Sequence, residues 1–154
     1  MLFYTVMKRK PIDRPISYLS LFATALNGDL SSVKEQYEAL LPAKDKPSVL
    51  NDEIVDRIIR LHEEKKEFIA NYKRQFALWR KEKLHPKQLI ILEDLEEKLP
   101  ALETINEQVL ALAYEIQPYT IDKILAMDEE KLAQLHLSGK RKAPFETTSP
   151  IYRF

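Results

Sequence analysis

From Asn51 to Leu84 the chain carries neither proline nor glycine, and its apolar side chains fall at Ile54, Ile58, Leu61, Phe68, Tyr72, Phe76 and Trp79. Steps alternating between about four and about three residues hold such side chains on one face, so this stretch predicts a long α-helix packed along its length on partners. Lys65 interrupts the stripe. Asn51 suits the N-cap, since its side-chain oxygen can accept from a first-turn amide. His85 and Pro86 supply a break, because proline lacks a donor N–H and its fixed φ fits the first position of a new helix. That second helix carries Leu89, Leu92, Leu95 and Leu99, meets Pro100, and continues with Leu102, Ile105, Val109, Leu112 and Ile116 before Pro118. At Pro100 the lost hydrogen bond predicts a kink or a fresh start. Together the two stretches, about 51–84 and 86–117, predict a long antiparallel hairpin.

The flanks add shorter elements. Pro11 and Pro15 bias their preceding residues away from helix, so residues 1–14 are expected to be extended or disordered. From Pro15 onward, Ile16, Leu19, Phe22, Ala23 and Leu26 recur at helical spacing. Asn27 and Gly28 then offer a left-handed cap, and Asp29 or Ser31 a new N-cap before Leu30, Val33, Tyr37, Leu40 and Leu41. The segment "SLFATALNGDLSSVKEQYEALL" resembles one ankyrin-type helix–turn–helix unit. An ankyrin array needs the unit again about 33 residues later, and no second copy follows, so a helical hairpin is all it implies. Thr120 and Asp128 look like the caps of two short helices closed by Gly139, and 140–154 like a flexible basic tail. The expected fold is all-α: one domain over 15–139, an elongated helical bundle built on the long hairpin, with short N- and C-terminal helices.

Composition removes several chemistries. There is no cysteine, hence no disulfide, thiolate zinc site or thiol nucleophile. With only two glycines, Gly28 and Gly139, neither phosphate-cradling loop can form, and Gly-x-Ser-x-Gly is absent. Lys plus Arg and Asp plus Glu both number 24, so any attraction to a polyanion must come from a local patch. No apolar run is long enough to cross a bilayer. The opening "MLFYTVMKRKP" places its apolar residues before its bases without a small-residue cleavage site, so no signal peptide is expected, and a cytoplasmic location is.

One local patch exists. In "NYKRQFALWRKEKLHPK", residues 71–87, six bases stand against one acid, with Tyr72, Phe76 and Trp79 interleaved. Bases for phosphate and aromatics for stacking make Lys73, Arg74, Arg80, Lys81, Lys83 and Lys87 candidate nucleic-acid contacts, joined by Lys140, Arg141 and Lys142 in the tail. Against that, the three aromatics continue the stripe that begins at Ile54, and burial would keep them from bases. A chain reversal near Pro86 would also bring Glu93, Asp94, Glu96 and Glu97 beside Lys73, Arg74 and Arg80.

Metal and catalytic sets are incomplete. His62, His85 and His136 have no metal-ligand spacing, and the position that would complete His-Glu-x-x-His from His62 is Lys66. Glu82 and His85 form a single Glu-x-x-His, where di-iron bundles need two with further glutamates. Glu63, Glu64 and Glu67 resemble the Glu-Glu-x-x-Glu signature of all-α nucleoside triphosphate pyrophosphohydrolases. That resemblance implies Mg²⁺ shared with a second motif, for which Glu93, Asp94 and Glu96 are the nearest candidates. In the expected hairpin those groups stand about 15–20 Å apart along the axis, too far for one ion. Lys65 and Asn106 both occupy stripe positions near one another across the hairpin, where polar groups either fix register or mark a solvent-facing seam. The sequence therefore predicts a non-enzymatic helical interaction or adaptor protein, with no cofactor, no metal and no membrane span. A protein partner or a second copy would meet the long helices. A nucleic-acid-binding regulatory accessory protein is the first alternative, and an all-α Mg²⁺-dependent nucleotide pyrophosphohydrolase-like enzyme the second.

Overall fold

Three long helices carry the chain in the computed structural model, which describes residues 13–127. Helix α1 spans Leu19–Leu40, α2 Asp52–Arg80 and α3 Pro86–Ile116, followed by a short α4 at Ile121–Leu125. Short 3₁₀ turns at Ile16–Tyr18, Leu41–Lys44, Pro47–Val49 and Gln117–Tyr119 extend or join them. No strand occurs among the described residues, and the protein is an all-α helical bundle.

Side-chain pairs give the helix directions. Lys73 on α2 meets Glu103 on α3 at 2.7 Å, and Arg80 meets Glu96 at 2.7 Å, so the two run antiparallel. On α1 the ring of Phe22 lies 5.0 Å from that of Trp79, while further along the helix Asp29 stands 3.2 Å from Lys65, further back along α2; Lys98 on α3 donates to Asn27 at 3.0 Å. Helix α1 therefore runs parallel to α3 and antiparallel to α2. The backbones of α1 and α2 each approach α3 closely, while α1 and α2 reach one another through longer side chains.

The core divides in two. At one end Leu19, Phe22 and Leu26 pack with Tyr72, Phe76, Trp79, Leu92 and Leu95. At the other, Leu40, Ala43 and Leu50 pack with Val55, Ile58, Val109, Leu112 and Ile116. Three helix N-termini are closed as their sequences predict. Asn51 Oδ1 accepts from the Ile54 amide at 2.9 Å, and Thr120 Oγ1 from the Lys123 amide at 3.4 Å. Pro86 opens α3, with the Gln88 side chain accepting from the His85 amide at 2.9 Å.

Four local expectations need correction. Helix α1 passes through Asn27 and Gly28 without a break. Gly28 keeps ordinary backbone geometry, and a Cβ built on it would meet nothing within 4 Å. A glycine in an exposed helix costs only about 1 kcal/mol, which the packing of Leu26 and Val33 on either side outweighs. Gly28→Ala is accordingly expected to raise stability by about 0.5–1 kcal/mol, read as a higher midpoint in urea unfolding with an unchanged slope.

Helix α3 is a single helix across Pro100, so of the two outcomes expected there the fresh start does not occur. This proline is exposed on the outer face, where water can reach the carbonyl left without its amide partner. Helix α2 stops at Arg80 rather than Leu84, and residues 81–85 form the turn, held by amide donation from Lys81 to the Leu78 carbonyl and from Glu82 to the Trp79 carbonyl. Leu61 is 47 % exposed, and the buried positions nearby belong to His62 and Lys65. A straight helix drifts about 20° per heptad against a strict seven-residue repeat, enough over a helix this long to carry one expected seam position outward. The expected extended N-terminus up to residue 12, the helix beginning at Asp128 and the basic tail lie outside the described residues.

Candidate functional site

Between the two apolar clusters lies a layer of buried polar side chains contributed by all three long helices. Lys65, 9 % exposed, places Nζ 3.2 Å from Asp29 Oδ1, and the Tyr72 hydroxyl donates to Asp29 Oδ2 at 2.9 Å. One turn back on α2, His62 Nδ1 lies 2.7 Å from Asn106 Oδ1 on α3. Asn106 Nδ2 donates to the His62 carbonyl at 3.0 Å. With that amide nitrogen donating, the Asn106 oxygen must accept, which assigns the imidazole proton to Nδ1. Asp29 thus sets α1 against α2, and Asn106 sets α2 against α3. Groups of this kind lower stability relative to a well-packed apolar layer but penalise every register that leaves one unmatched.

Lys65 and Asn106 stand out in the sequence as breaks in an apolar stripe, and both are buried; the seam does not face solvent there. Asp29 is the member that sequence reasoning takes for a helix cap. Its signal is present only if α1 is continuous, because Leu26, Asp29 and Val33 then share one face.

Burial holds the His62 imidazole below its ordinary value near 6.5, opposed by the hydrogen bond to Asn106 and reinforced by the Lys65 charge. A depressed histidine is neutral in the fold, so its contribution is complete above the unfolded value and declines as pH falls below about 6.5. Stability is expected to fall as pH drops below about 6.5, and His62→Gln to flatten that part of the curve, measured by urea unfolding at successive pH values.

The basic stretch separates into two groups. Arg80 makes a forked contact with Glu96, at 2.7 and 3.1 Å, and stands 3.6 Å from Glu93. Hydrogen bonding to Glu96 raises its already high pKa, with the Glu96 and Glu93 charges adding to the effect. Lys73 pairs with Glu103, not with the 93–98 acids, and Arg74 pairs with Asp13. Asp94 bonds Lys98 on its own helix at 2.9 Å. Lys81, Lys83 and Lys87 are exposed and form no ion pair among the described residues. Lys140, Arg141 and Lys142 lie outside them. Tyr72, Phe76 and Trp79 are all buried, so none presents a ring face to a base.

The carboxylates of the pyrophosphohydrolase-like motif are not brought together. Glu63 accepts from the Tyr114 hydroxyl at 2.6 Å and pairs with Lys66 at 3.1 Å, while Lys66 lies 3.9 Å from Glu107. Glu93 and Glu96 sit instead beside Arg80, which is thirteen residues beyond Glu67 and seventeen beyond Glu63 along α2, or about 20–25 Å at 1.5 Å per residue. The Tyr114 hydrogen bond, then that from Lys66, holds the Glu63 carboxyl below its ordinary range, and the same contact raises the Tyr114 phenol. No group of three or more His, Asp or Glu side chains able to hold a metal ion occurs among the described residues. No described helix is long and apolar enough to cross a membrane.

These features define an up-down-up three-helix bundle with a sealed polar middle and a basic turn at one end. No protein-family model, curated protein or solved structure matches the chain.

Proposed function

We propose that the chain is a non-enzymatic helical interaction protein, an adaptor or accessory that offers the outer faces of its long helices to a protein partner in the cytoplasm. The observation that supports this most is on α3, where Ile90 is 67 % exposed next to Ile91 on a helix whose opposite face is fully packed. Large aliphatic side chains in water contribute nothing to the fold and become favourable when a partner covers them. The interior polar groups support the same reading, because among the described residues they bond one another.

The test is capture from the native extract at two salt concentrations, with protein and nucleic acid both identified, using wild type and Ile90→Asp. Retention of a defined protein by wild type and its loss from the variant is the expected result. Turnover of a nucleotide or ester by the purified chain, abolished by Glu64→Gln, would contradict the reading.

The second reading, a nucleic-acid-binding accessory protein, draws on Lys81, Lys83 and Lys87, three cations at one turn without acidic partners among the described residues. If those three alone met phosphates on duplex DNA, log Kd would change with log salt with a slope of about 3. Replacing all three by Ala would remove that dependence, whereas Arg74→Ala or Arg80→Ala would act mainly by breaking pairs within the fold. Absence of binding at low salt would dispose of this reading.

A further inference from the structure

We propose that the first three turns of α3 form a self-complementary stripe through which two copies of the chain pair antiparallel. The proposal rests on the interaction reading and gives it an occupant, a second copy. Lys87, Ile90, Ile91 and Asp94 fall at spacings of three and four, so they share one face of the helix over two turns, about 10 Å. That face is exposed and lies away from α2: Glu93 and Glu96 on its flank point toward Arg80, Leu92 and Leu95 face the core, and one turn past Asp94 the same face reaches α1 through Lys98 and Asn27. Ile90 is 67 % and Ile91 39 % exposed, Lys87 is exposed, and the Asp94 side chain is 51 % exposed.

The order along the stripe is cation, apolar pair, anion, symmetric about the midpoint between Ile90 and Ile91. A twofold axis through that midpoint places Ile90 of one copy on Ile91 of the other, and Lys87 of each opposite Asp94 of the other. Every contact then occurs twice, as an isologous pairing requires. Charge supports the same arrangement. Lys87 lies in the first turn of α3, which carries no acidic side chain, and a cation there opposes the helix dipole. A carboxylate from a second copy would relieve that conflict. Asp94 can accept it while keeping Lys98, since a carboxylate has acceptor sites for both. Four side chains per copy make a small interface, so the dimer is weak and appears only at high micromolar concentration or above.

Sedimentation equilibrium on the full chain, from low micromolar to millimolar concentration at low and high salt, tests this. Wild type is expected to show a monomer–dimer equilibrium that salt weakens. Ile90→Asp should raise Kd by about tenfold or more, as loss of a central apolar anchor does. Lys87→Asp and Asp94→Lys, each bringing like charges together, should each raise it about three- to tenfold. The double variant Lys87→Asp/Asp94→Lys restores opposite charges across the axis and should return Kd to within about twofold of wild type. Circular dichroism checks that each exposed substitution leaves the helices intact.

The proposal is overturned if wild type stays monomeric throughout, if the dimer ignores Ile90→Asp, or if the double variant is as weak as the singles. A monomeric chain that captures another protein in an Ile90-dependent way would overturn self-pairing while leaving the interaction reading in place. Binding of nucleic acid that depends on Lys87 but not on Ile90 would count against both.

Discussion

Asp29→Ala is expected to lower the unfolding free energy by about 3–5 kcal/mol, a large part of the 5–15 kcal/mol typical of a domain. The substitution takes the carboxylate from Lys65 at 3.2 Å and from the Tyr72 hydroxyl at 2.9 Å, and both donors sit where water has little access. An ammonium deprived of its anion inside a fold keeps its desolvation penalty and loses the attraction that offset it. Removing both charges together should behave differently. Asp29→Leu combined with Lys65→Met replaces the pair with apolar groups of similar size and is expected to recover most of the loss, or to exceed wild type. Urea unfolding followed by helix signal measures both. A loss under about 1 kcal/mol from Asp29→Ala, the size seen for exposed pairs, would mean that the pair is solvated and the layer open.

Trp79→Ala should cost a similar amount, about 3–5 kcal/mol, by the usual sum of lost transfer free energy and cavity. Trp79 is fully buried, its ring 5.0 Å from Phe22 and 6.2 Å from Phe76 by centroid. Its indole N–H donates to the Arg14 carbonyl at 2.9 Å, and Gln75 bonds the same residue through its amide and its carbonyl. The side chain therefore does two things: it fills the core and fastens the segment before α1 onto α2. Trp79→Phe separates them, keeping most of the apolar contact while losing the donor. It is expected to cost about 1–2 kcal/mol, and to speed amide exchange at Arg14, whose N–H is held by Gln75. If Trp79→Ala were nearly neutral, the aromatic stripe would not be core, and a stacking role for residues 71–87 would regain its force.

The main frame of this fold is legible because its signals are local and strong. A proline at a first helical position, an asparagine cap and a stripe at helical spacing each act within a few residues, and all three hold. What the sequence does not disclose is set by contacts with a third helix. Asn27 and Gly28 look like a stop, yet the penalty they carry is about 1 kcal/mol and packing on two sides exceeds it. Reading a break there also hides Asp29, whose partner Lys65 lies 36 residues away, and makes Lys65 look like a defect in its stripe. The pairing of acids with bases across the hairpin was legible in kind and slipped in register. Residues 81–85 leave the helix, so Lys73 meets Glu103 rather than the acids at 93–98. Ile90 could be seen only as one more aliphatic residue, since exposure depends on which side of α3 the other helices cover. The metal-like carboxylate runs illustrate the reverse case, where a pattern on paper is divided in space between two ends of a long pair of helices.

The reversal of the chain at His85 and Pro86 underlies each of these statements. With no cysteine in the chain, spin labels attach only where cysteines are introduced, and Ala70→Cys with Thr104→Cys places them on exposed positions of α2 and α3. Antiparallel packing at the usual 8–10 Å between axes is expected to give a label separation within about 25 Å. A helix running straight through the same residues would set them about 50 Å apart at 1.5 Å per residue, and a distance near that value would contradict the account.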